Sequence, residues 1–332
     1  MNPKRIIISR TDSIGDVVLT LPMAGVLKEK FPNCEILFLG STYTKPVVEL
    51  SEHIDRFINW DELKNQNNAL KTLKALEADV MLHVFPNKEL AKLAHKAKIP
   101  FRIGTKGRLF HIFTCNKKVS FSRRKSNLHE AQLNIKLLKP LGIDKCFSLE
   151  ELTEFYGLTK VKPLPERLQS LIDEDKKSII LHPKSKGSAK EWGLNNFKEL
   201  ITILPEKEFQ IFISGTAEEG GLIGNSLPLD KYNVLSLLGK LSLDEFISFI
   251  AQTDGLVAAS TGPLHISSAL GKSALGLFSP KRPIHPGRWR PVGKRAKAIV
   301  FDENCKRCAE QKDCNCIQEI APKKVAKILQ LK

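Results

Sequence analysis

The chain begins with a strand, a turn and a helix that together indicate its fold. Residues 5–22 have the sequence RIIISRTDSIGDVVLTLP. Three consecutive isoleucines predict a buried strand over 5–9, and the apolar run after Asp16 predicts a helix over 17–30. The turn between them lacks G-x-G-x-x-G and G-x-x-x-x-G-K-[ST], the glycine-rich loops that hold dinucleotides or nucleoside triphosphates. The segment therefore predicts a βα unit but disfavours a dehydrogenase or an ATPase.

The alternation of short apolar strands and helical segments continues through both halves of the chain. In the first half, the pattern predicts further strands at 35–39, 80–84 and 102–103 and a helix at 63–76. In the second half, it predicts strands at 178–181, 210–214, 234–238, 255–259 and 274–278, and helices at 195–204, 244–251, 264–270 and 322–331. Such alternation is typical of α/β proteins with parallel sheets. We therefore expect two Rossmann-like domains facing a central cleft, since open sheets bind ligands at the carboxyl ends of their strands.

A polar stretch at 150–177, with Pro163 and Pro165, separates the two halves. Such composition is typical of the segment between two domains. We place the domains at 1–165 and 166–332, and the helix at 322–331 is compatible with packing on either of them.

Composition limits the class of protein. The 332 residues are 42% hydrophobic and 27% charged, which is close to globular averages and excludes collagen-like or low-complexity chains. The 52 Lys and Arg residues exceed the 36 Asp and Glu residues, so the net charge is +16. This excess predicts a polyanionic partner, and charge alone leaves nucleic acid, an acidic membrane surface and a phosphate-bearing substrate open.

Cysteine content and hydropathy indicate the compartment. Seven cysteines, an odd number, argue against a secreted disulfide framework. The N-terminal stretch has no apolar core of a signal peptide, and no apolar run approaches the roughly 18 residues of a spanning helix. We expect a cytoplasmic protein.

Three post-strand turns carry residues suited to chemistry. Asp16 lies where it can accept a proton from a substrate hydroxyl, although the position also suits a carboxylate that stabilises a helix N-terminus. Residues 182–192, HPKSKGSAKEW, form a loop rich in Ser, Gly and Lys, and 258–265, AASTGPLH, open a helix with free backbone N–H groups. Both loops suit a diphosphate. The alternatives are a solvated loop for each lysine and a structural role for His265.

Taken together, these segments resemble the ADP-heptose lipopolysaccharide heptosyltransferase family, which are GT-B glycosyltransferases. The resemblance covers nearly the whole chain. The matching residues are 13–22, 190–192 with Phe197, 214–218 (SGTAE), 260–265, and 286–291 (PGRWRP).

The resemblance implies an inverting transfer of a heptose or related sugar from a nucleotide-diphosphate donor, with ADP-heptose favoured, to a lipopolysaccharide core or similar envelope glycolipid. The N-terminal domain would bind the acceptor, with Asp16 as the catalytic base, and the C-terminal domain the donor. The matching donor-binding residues are Lys190, Ser185, Glu218, Ser260, Thr261, Gly262 and His265. No cofactor and no catalytic metal are implied.

One position departs from the family pattern. Members that add the first heptose often carry Asp where this chain has Ser260. This difference leaves another donor open, such as a UDP- or GDP-hexose. A polyanion-binding protein without enzymatic activity, and a silent relative that binds a nucleotide sugar, are the alternatives from other classes.

A basic stretch without acidic residues lies between Glu89 and Glu130. Its candidate acceptor-binding residues are Arg102, Lys106, Arg108, Arg123 and Arg124, and they alternate with the apolar residues Phe101, Leu109, Phe110, Ile112 and Phe113. This mixture suits a phosphorylated glycolipid at an anionic inner-membrane surface, so we expect a peripheral location. A solvated loop is the plain alternative. Nucleic acid is not expected, because no nucleic-acid-binding motif accompanies the charges.

Four cysteines crowd one segment near the C-terminus: Cys305, Cys308, Cys314 and Cys316. Four thiolates suit a structural zinc ion, although the spacing differs from paired C-x2-C knuckles. Reduced thiols and disulfides remain alternatives. No role in sugar transfer is assigned to them.

Overall fold

The computed structural model describes residues 2–331 and divides into two compact units, Met1–Lys160 and Val161–Lys332. The division falls inside the polar stretch at 150–177. Each unit contains one six-stranded sheet in which every pair of neighbouring strands is parallel. The α/β class predicted from the sequence is confirmed.

The first sheet has the strand order β3-β2-β1-β4-β5-β6 and the second β12-β11-β10-β7-β8-β9. The strands are β1 (Arg5–Ser9), β2 (Glu35–Gly40), β3 (Arg56–Asn59), β4 (Val80–His83), β5 (Phe101–Thr105), β6 (Lys117–Val119), β7 (Lys177–His182), β8 (Phe209–Ile213), β9 (Val234–Ser236), β10 (Gly255–Ala259), β11 (Ser273–Phe278) and β12 (Ala296–Val300). Counted from its own first strand, each sheet therefore has the Rossmann order 3-2-1-4-5-6. Its direction of winding reverses between β1 and β4, and between β7 and β10, and ligands bind beyond the carboxyl ends of strands at such points.

Helices connect the strands. They are α1 (Ile14–Val18), α2 (Pro22–Lys30), α3 (Lys45–Val48), α4 (Trp60–Leu63), α5 (Ala69–Ala75), α6 (Lys88–Lys96), α7 (Leu109–Thr114), α8 (Glu130–Ile135), α9 (Leu149–Thr153), α10 (Glu166–Gln169), α11 (Leu194–Ile203), α12 (Ala217–Ile223), α13 (Leu243–Gln252), α14 (Gly262–Ala269), α15 (Pro286–Trp289), α16 (Lys306–Ala309) and α17 (Pro322–Gln330). Short 3-10 helices cover Thr42–Thr44, Lys136–Leu141, Gly224–Ser226 and Cys316–Glu319. Within residues 2–331, no helix has the length and apolar character needed to cross a bilayer.

Two helix predictions were wrong in extent. The helix expected over 17–30 is divided into α1 and α2, because Pro22 has no N–H to donate and its ring excludes a carbonyl one turn earlier. The helix expected over 63–76 is confined to α5, because the chain turns after α4. Pro22 marks the interruption between α1 and α2 in the sequence. No such residue marks the break before α5, so the predicted helix began too early.

Strands were predicted best where both faces of the sheet are buried. The strand at Gly255–Ala259 has the predicted bounds, and all five of its residues are buried. Strands β3, β6 and β12 were missed, and all three lie at sheet edges where charged or exposed residues interrupt the apolar run. Edge strands are commonly short and charged, so they lack the signal of a central strand.

The core of the second unit includes the last helix. Trp192 is fully buried, and its Nε1 donates to the Ile320 carbonyl at 2.9 Å. Val325 and Leu329 of α17 join the same apolar cluster. The Lys177 ammonium donates to the Leu329 carbonyl at 2.5 Å. Helix α17 therefore packs within the second unit.

Candidate active site

Asp16 lies in the first turn of α1, just beyond the carboxyl end of β1. Its side chain is 18% exposed, so it remains open to a substrate. Ser13 donates a hydrogen bond to Asp16 Oδ2 at 2.5 Å, and the Arg10 guanidinium forms an ion pair with Oδ1. The two oxygens are thus held by two different donors, which fixes the orientation of the carboxylate.

Arg10 is the centre of a buried charge network that the sequence did not indicate. It is 3% exposed, and its Nε donates to Asp12 Oδ1 at 2.6 Å. Its Nη1 lies 3.3 Å from both Glu130 Oε1 and Asn134 Oδ1. Burial alone would lower the pKa of Arg10, but the carboxylates of Asp16, Asp12 and Glu130 outweigh it and raise the pKa. The guanidinium is therefore a permanent cation beside Asp16.

A second arginine completes this network from the other side. Arg123 forms an ion pair with Glu130, whose side chain is 1% exposed, and donates to Asn134 Oδ1 and to the Val84 carbonyl, both at 3.1 Å. Arg123 was predicted to contact the acceptor, but in the structure its guanidinium makes these internal contacts. Glu130 thus lies between two guanidinium groups.

Asn134 connects the charge network to the backbone around Asp16. Its Nδ2 donates to the Leu19 carbonyl and to Thr20 Oγ1, each at 3.1 Å. Thr20 in turn donates to the Asp16 carbonyl at 2.8 Å. Helix α8, which carries Asn134, therefore contributes to the placement of α1.

A second carboxyl group shares Arg10 with Asp16. Burial raises the pKa of Asp12 to about 6, although the Arg10 charge opposes the rise. The Tyr43 hydroxyl donates to the Asp12 carbonyl at 2.6 Å. Asp12 therefore titrates closer to neutrality than an ordinary aspartate.

The second unit places its candidate residues on three loops at the carboxyl ends of β7, β8 and β10. The loop after β7 is folded around Glu191, a residue that matches the family pattern but for which the sequence indicated no role. Glu191 accepts from Lys184 Nζ at 2.5 Å and from the Ser185 backbone N–H at 3.1 Å. The Ser185 hydroxyl donates to the Ala189 carbonyl at 2.9 Å. The tight turn includes Gly187 at φ 78°, a backbone conformation that glycine adopts without strain.

Lys190, on the same loop, pairs with a residue far along the chain. Its Nζ donates to Asp313 Oδ1 at 2.5 Å, and this hydrogen bond raises the pKa of Lys190. The side chain is 35% exposed. Lys190 is therefore charged and accessible, with its carboxylate partner on the cysteine-rich segment.

The loop after β8 approaches the loop after β7. Thr216 caps α12 and forms a capping box with Glu219, which is buried. Glu218 is largely exposed, with Lys186 Nζ 3.4 Å from its carboxylate. The structure therefore brings Glu218 to the edge of the lysine-bearing loop.

The turn after β10 presents a helix N-terminus beside the same loop. Thr261 precedes α14, and its buried Oγ1 has no hydrogen-bond partner among the described residues. Gly262 and Pro263 begin the helix, whose first-turn N–H groups lack intrahelical acceptors. His265 is buried one turn further along, and Ser260 is partly exposed at the end of the strand. Because β7 and β10 are neighbours, this turn and the Lys190 loop lie at the point where the sheet reverses its winding.

The basic stretch in the first unit exposes one apolar face of α7. Leu109, Ile112 and Phe113 are 76%, 51% and 74% exposed, and their spacing puts them on one side of the helix. Lys106, Arg108 and Arg124 are exposed as well. We call these six residues the basic-apolar surface. Arg102 is partly exposed, and its guanidinium donates to the carbonyls of Thr114, at 2.8 Å, and Ile99.

Comparisons with known proteins show the family to which the chain belongs. The model of glycosyltransferase family 9 (heptosyltransferase) matches residues 68–317. A putative glycosyltransferase of Haemophilus influenzae is 28% identical over 312 residues, which cover 90% of this chain and 89% of the relative. The lipopolysaccharide core heptosyltransferase OpsX of the same organism is 22% identical, with 92% of this chain and 87% of the relative covered.

Solved structures of low sequence identity share the fold. The glycosyltransferase family 9 protein from Veillonella parvula has a TM-score of 0.77 at 18% identity, with 100% of this chain and 98% of that chain covered. Escherichia coli ADP-heptose lipopolysaccharide heptosyltransferase II has a TM-score of 0.72 at 18% identity, with 98% and 97% covered. The predicted GT-B fold is confirmed. Since the family match spans most of the chain, the protein belongs to glycosyltransferase family 9, the heptosyltransferases, and is a glycosyltransferase.

Proposed function

We propose that this enzyme transfers a heptose from a nucleotide-diphosphate donor to a lipopolysaccharide core or similar glycolipid, with inversion at the anomeric carbon. ADP-heptose is the favoured donor. The observation that carries the proposal is the Asp16 carboxylate, oriented by Arg10 and Ser13 at the carboxyl end of β1. Relatives named lipopolysaccharide heptosyltransferases support the choice of substrates.

Asp16 acts as the general base. It takes the proton of the acceptor hydroxyl as that oxygen forms a bond to the anomeric carbon of the donor sugar. The bond from the anomeric carbon to the diphosphate breaks, and its electron pair leaves with the nucleoside diphosphate. Attack opposite the leaving group inverts the configuration. Arg10 holds the carboxylate in this orientation through their ion pair, because the buried guanidinium is a permanent cation.

The second unit stabilises the leaving diphosphate. Lys190 exchanges its Asp313 contact for a phosphate oxygen, and the α14 N-terminus supplies backbone N–H donors. The Thr261 hydroxyl, buried without a partner in the described residues, is available to the same oxygens. Ser185, Gly262 and His265 lie on the same loops, and we assign Glu218 to the nucleoside and Ser260 to the sugar. These groups supply positive potential without a metal ion.

Calorimetric titration with ADP, UDP, GDP and CMP tests the donor site. We expect a preference for ADP that Lys190→Ala weakens roughly 10- to 150-fold, the effect of a charge-assisted contact of about 1.5–3 kcal/mol. Lys198→Ala, an exposed lysine of α11, is the matched control and should leave binding unchanged. Preference for UDP or GDP would assign another donor, an outcome that Ser260 leaves open. An equal loss of ADP affinity in both variants would show that Lys190 does not belong to the donor site.

The transfer itself is tested with ADP-heptose and a lipopolysaccharide acceptor that lacks heptose. Product is measured by mass spectrometry. Asp16→Ala should abolish transfer while ADP still binds, because Asp16 belongs to the first unit and the donor residues to the second. Full activity in this variant would refute the role of Asp16.

We infer that the basic-apolar surface binds the anionic inner-membrane surface that carries the acceptor, which gives the enzyme a peripheral, cytoplasmic location. Exposed apolar side chains on one helix face with surrounding cations are typical of such contacts. Lys106, Arg108 and Arg124 meet the phosphates of lipid or acceptor. Arg102 and Arg123 hold the surface in place through their internal contacts.

Cosedimentation with vesicles tests this location. Binding to vesicles with anionic lipid should exceed binding to neutral vesicles and fall with salt. Leu109→Ser with Phe113→Ser should reduce binding, whereas Leu222→Ser should not, although Leu222 of the second unit is 64% exposed. Equal effects of both changes would refute the assignment.

A further inference from the structure

The four cysteines near the C-terminus converge in space. Cys305 immediately precedes α16, Cys308 lies within it, and Cys314 and Cys316 lie on the segment that follows. All four Sγ atoms lie within 4.8 Å of one another. The nearest pairs are Cys305 with Cys314, at 3.6 Å, and Cys308 with Cys316, at 3.5 Å. Three of the four side chains are buried.

These distances fit the corners of a tetrahedron. Zinc–sulfur bonds of about 2.3 Å imply sulfur–sulfur edges of about 3.8 Å. The Sγ–Sγ distances, which run from 3.5 Å to no more than 4.8 Å, include this value. Thiolate sets select zinc or iron over hard cations such as magnesium.

Polar groups around the cluster suit a negatively charged metal–thiolate centre. The Ser279 hydroxyl lies 3.5 Å from Cys308 Sγ and 3.9 Å from Cys316 Sγ. Lys281 donates to the carbonyls of Gln311 and Lys312, at 3.1 and 3.0 Å, and so brings an ammonium to the loop between the cysteines. A divalent ion with four thiolates has a net charge of −2, which such donors and cations stabilise.

We propose that Cys305, Cys308, Cys314 and Cys316 together bind one zinc or iron ion as a closed tetrathiolate site. On binding, four S–H groups release their protons to solvent and four metal–sulfur bonds form, with no change of oxidation state. All four coordination positions are taken by protein. The ion therefore has a structural role and no direct part in sugar transfer.

The metal stabilises the segment that borders the donor loop. Asp313, next to Cys314, accepts from Lys190, and the Gln318 and Ile320 carbonyls accept from Asn196 and Trp192. Residues 313–320 are thus bonded to residues 190–196 at several points. The expected effect of the metal on donor binding rests on the proposed function. The expected metal content of the chain does not depend on it.

Metal analysis of the purified full-length chain tests the site. After production with zinc or iron supplied and removal of loosely bound ions, mass spectrometry of the elements should find one metal ion per chain. Cys308→Ser with Cys316→Ser should lose the ion. Cys34→Ser is the matched control, since Cys34 and Cys308 are both 2% exposed, and it should retain the ion.

A measurement on the wild type guards against variants that fail to fold. A mercurial reagent should release one ion as the thiols of the four clustered cysteines react. Cobalt(II) bound in place of the native ion should give the absorption bands of a tetrahedral thiolate site. Either zinc or iron in this stoichiometry supports the proposal. Two disulfides found by mass spectrometry, or four free thiols without metal after both supplements, would overturn it. ADP affinity measured on the same samples reports on the donor site independently of the metal content, so a failure of the proposed function and a failure of the metal site can be told apart.

Discussion

The buried carboxylate of Glu130 offers a sharp test of how the Asp16 site is built. Its side chain is 1% exposed and lies between the guanidinium groups of Arg10 and Arg123. Glu130→Gln keeps the size of the side chain but removes the negative charge between two buried cations. Loss of one partner from a buried ion pair costs about 3–5 kcal/mol, because the remaining charge is left uncompensated.

A surface pair provides the contrast. Asp144 contacts Lys139 at 2.7 Å, but the two side chains are 69% and 61% exposed. Such pairs contribute about 0–1 kcal/mol, since water screens them. Asp144→Asn should therefore leave the stability almost unchanged. The ratio of the two effects depends on burial, because both substitutions remove one carboxylate charge.

Urea unfolding of both variants measures the difference, with hydrogen exchange in strands β1 and β4 reporting on the first unit alone. Glu130→Gln should lower the free energy of unfolding of that unit by about 3–5 kcal/mol. Turnover should fall as well, because Arg10 also orients Asp16, while ADP affinity should hold. A loss below about 1 kcal/mol, equal to that of Asp144→Asn, would refute the account of the network as a buried, mutually compensated cluster.

Three further substitutions test single contacts. Ser13→Ala removes one hydrogen bond to the Asp16 carboxylate, so turnover should fall roughly 10-fold or more with ADP affinity unchanged, and an unaltered rate constant would exclude the contact from catalysis. Thr261→Val removes a buried hydroxyl without a partner in the described residues. It should leave the thermal stability of the free protein equal or higher but weaken ADP binding by about 1–3 kcal/mol. An unchanged ADP affinity in calorimetry would contradict this. The folded-state pKa of Asp12, about 6, exceeds its unfolded value, so its contribution to stability is present at low pH and lost as the pH rises through about 6. Between about pH 4 and 6, the wild type should lose up to about 3 kcal/mol relative to Asp12→Asn, and parallel unfolding free energies of the two proteins across that range would refute the shift.

Local sequence pattern accounts for the central strands and for the turns that carry Asp16, Lys190 and Thr261. A strand buried on both faces needs an apolar run, so the local sequence at Ile6, Ile7 and Ile8 is enough to predict β1. The turn with the candidate base Asp16 directly follows this strand, and the loops with the candidate donor-binding residues follow β7 and β10 in the same way. Position relative to a strand is therefore a property that the sequence alone determines for this protein.

The partners of those residues are decided only by the tertiary structure. Arg10 contacts Glu130 across 120 residues of chain, and Lys190 contacts Asp313 across 123. Nothing in the pattern around Arg123 distinguishes it from its exposed neighbour Arg124, yet one contacts a buried carboxylate and the other faces solvent. Periodicity reports which side chains share a face of one element, whereas ion pairs form where different elements meet. Burial of those meeting points then determines which charges are held in ion pairs around Asp16 and which are exposed to solvent.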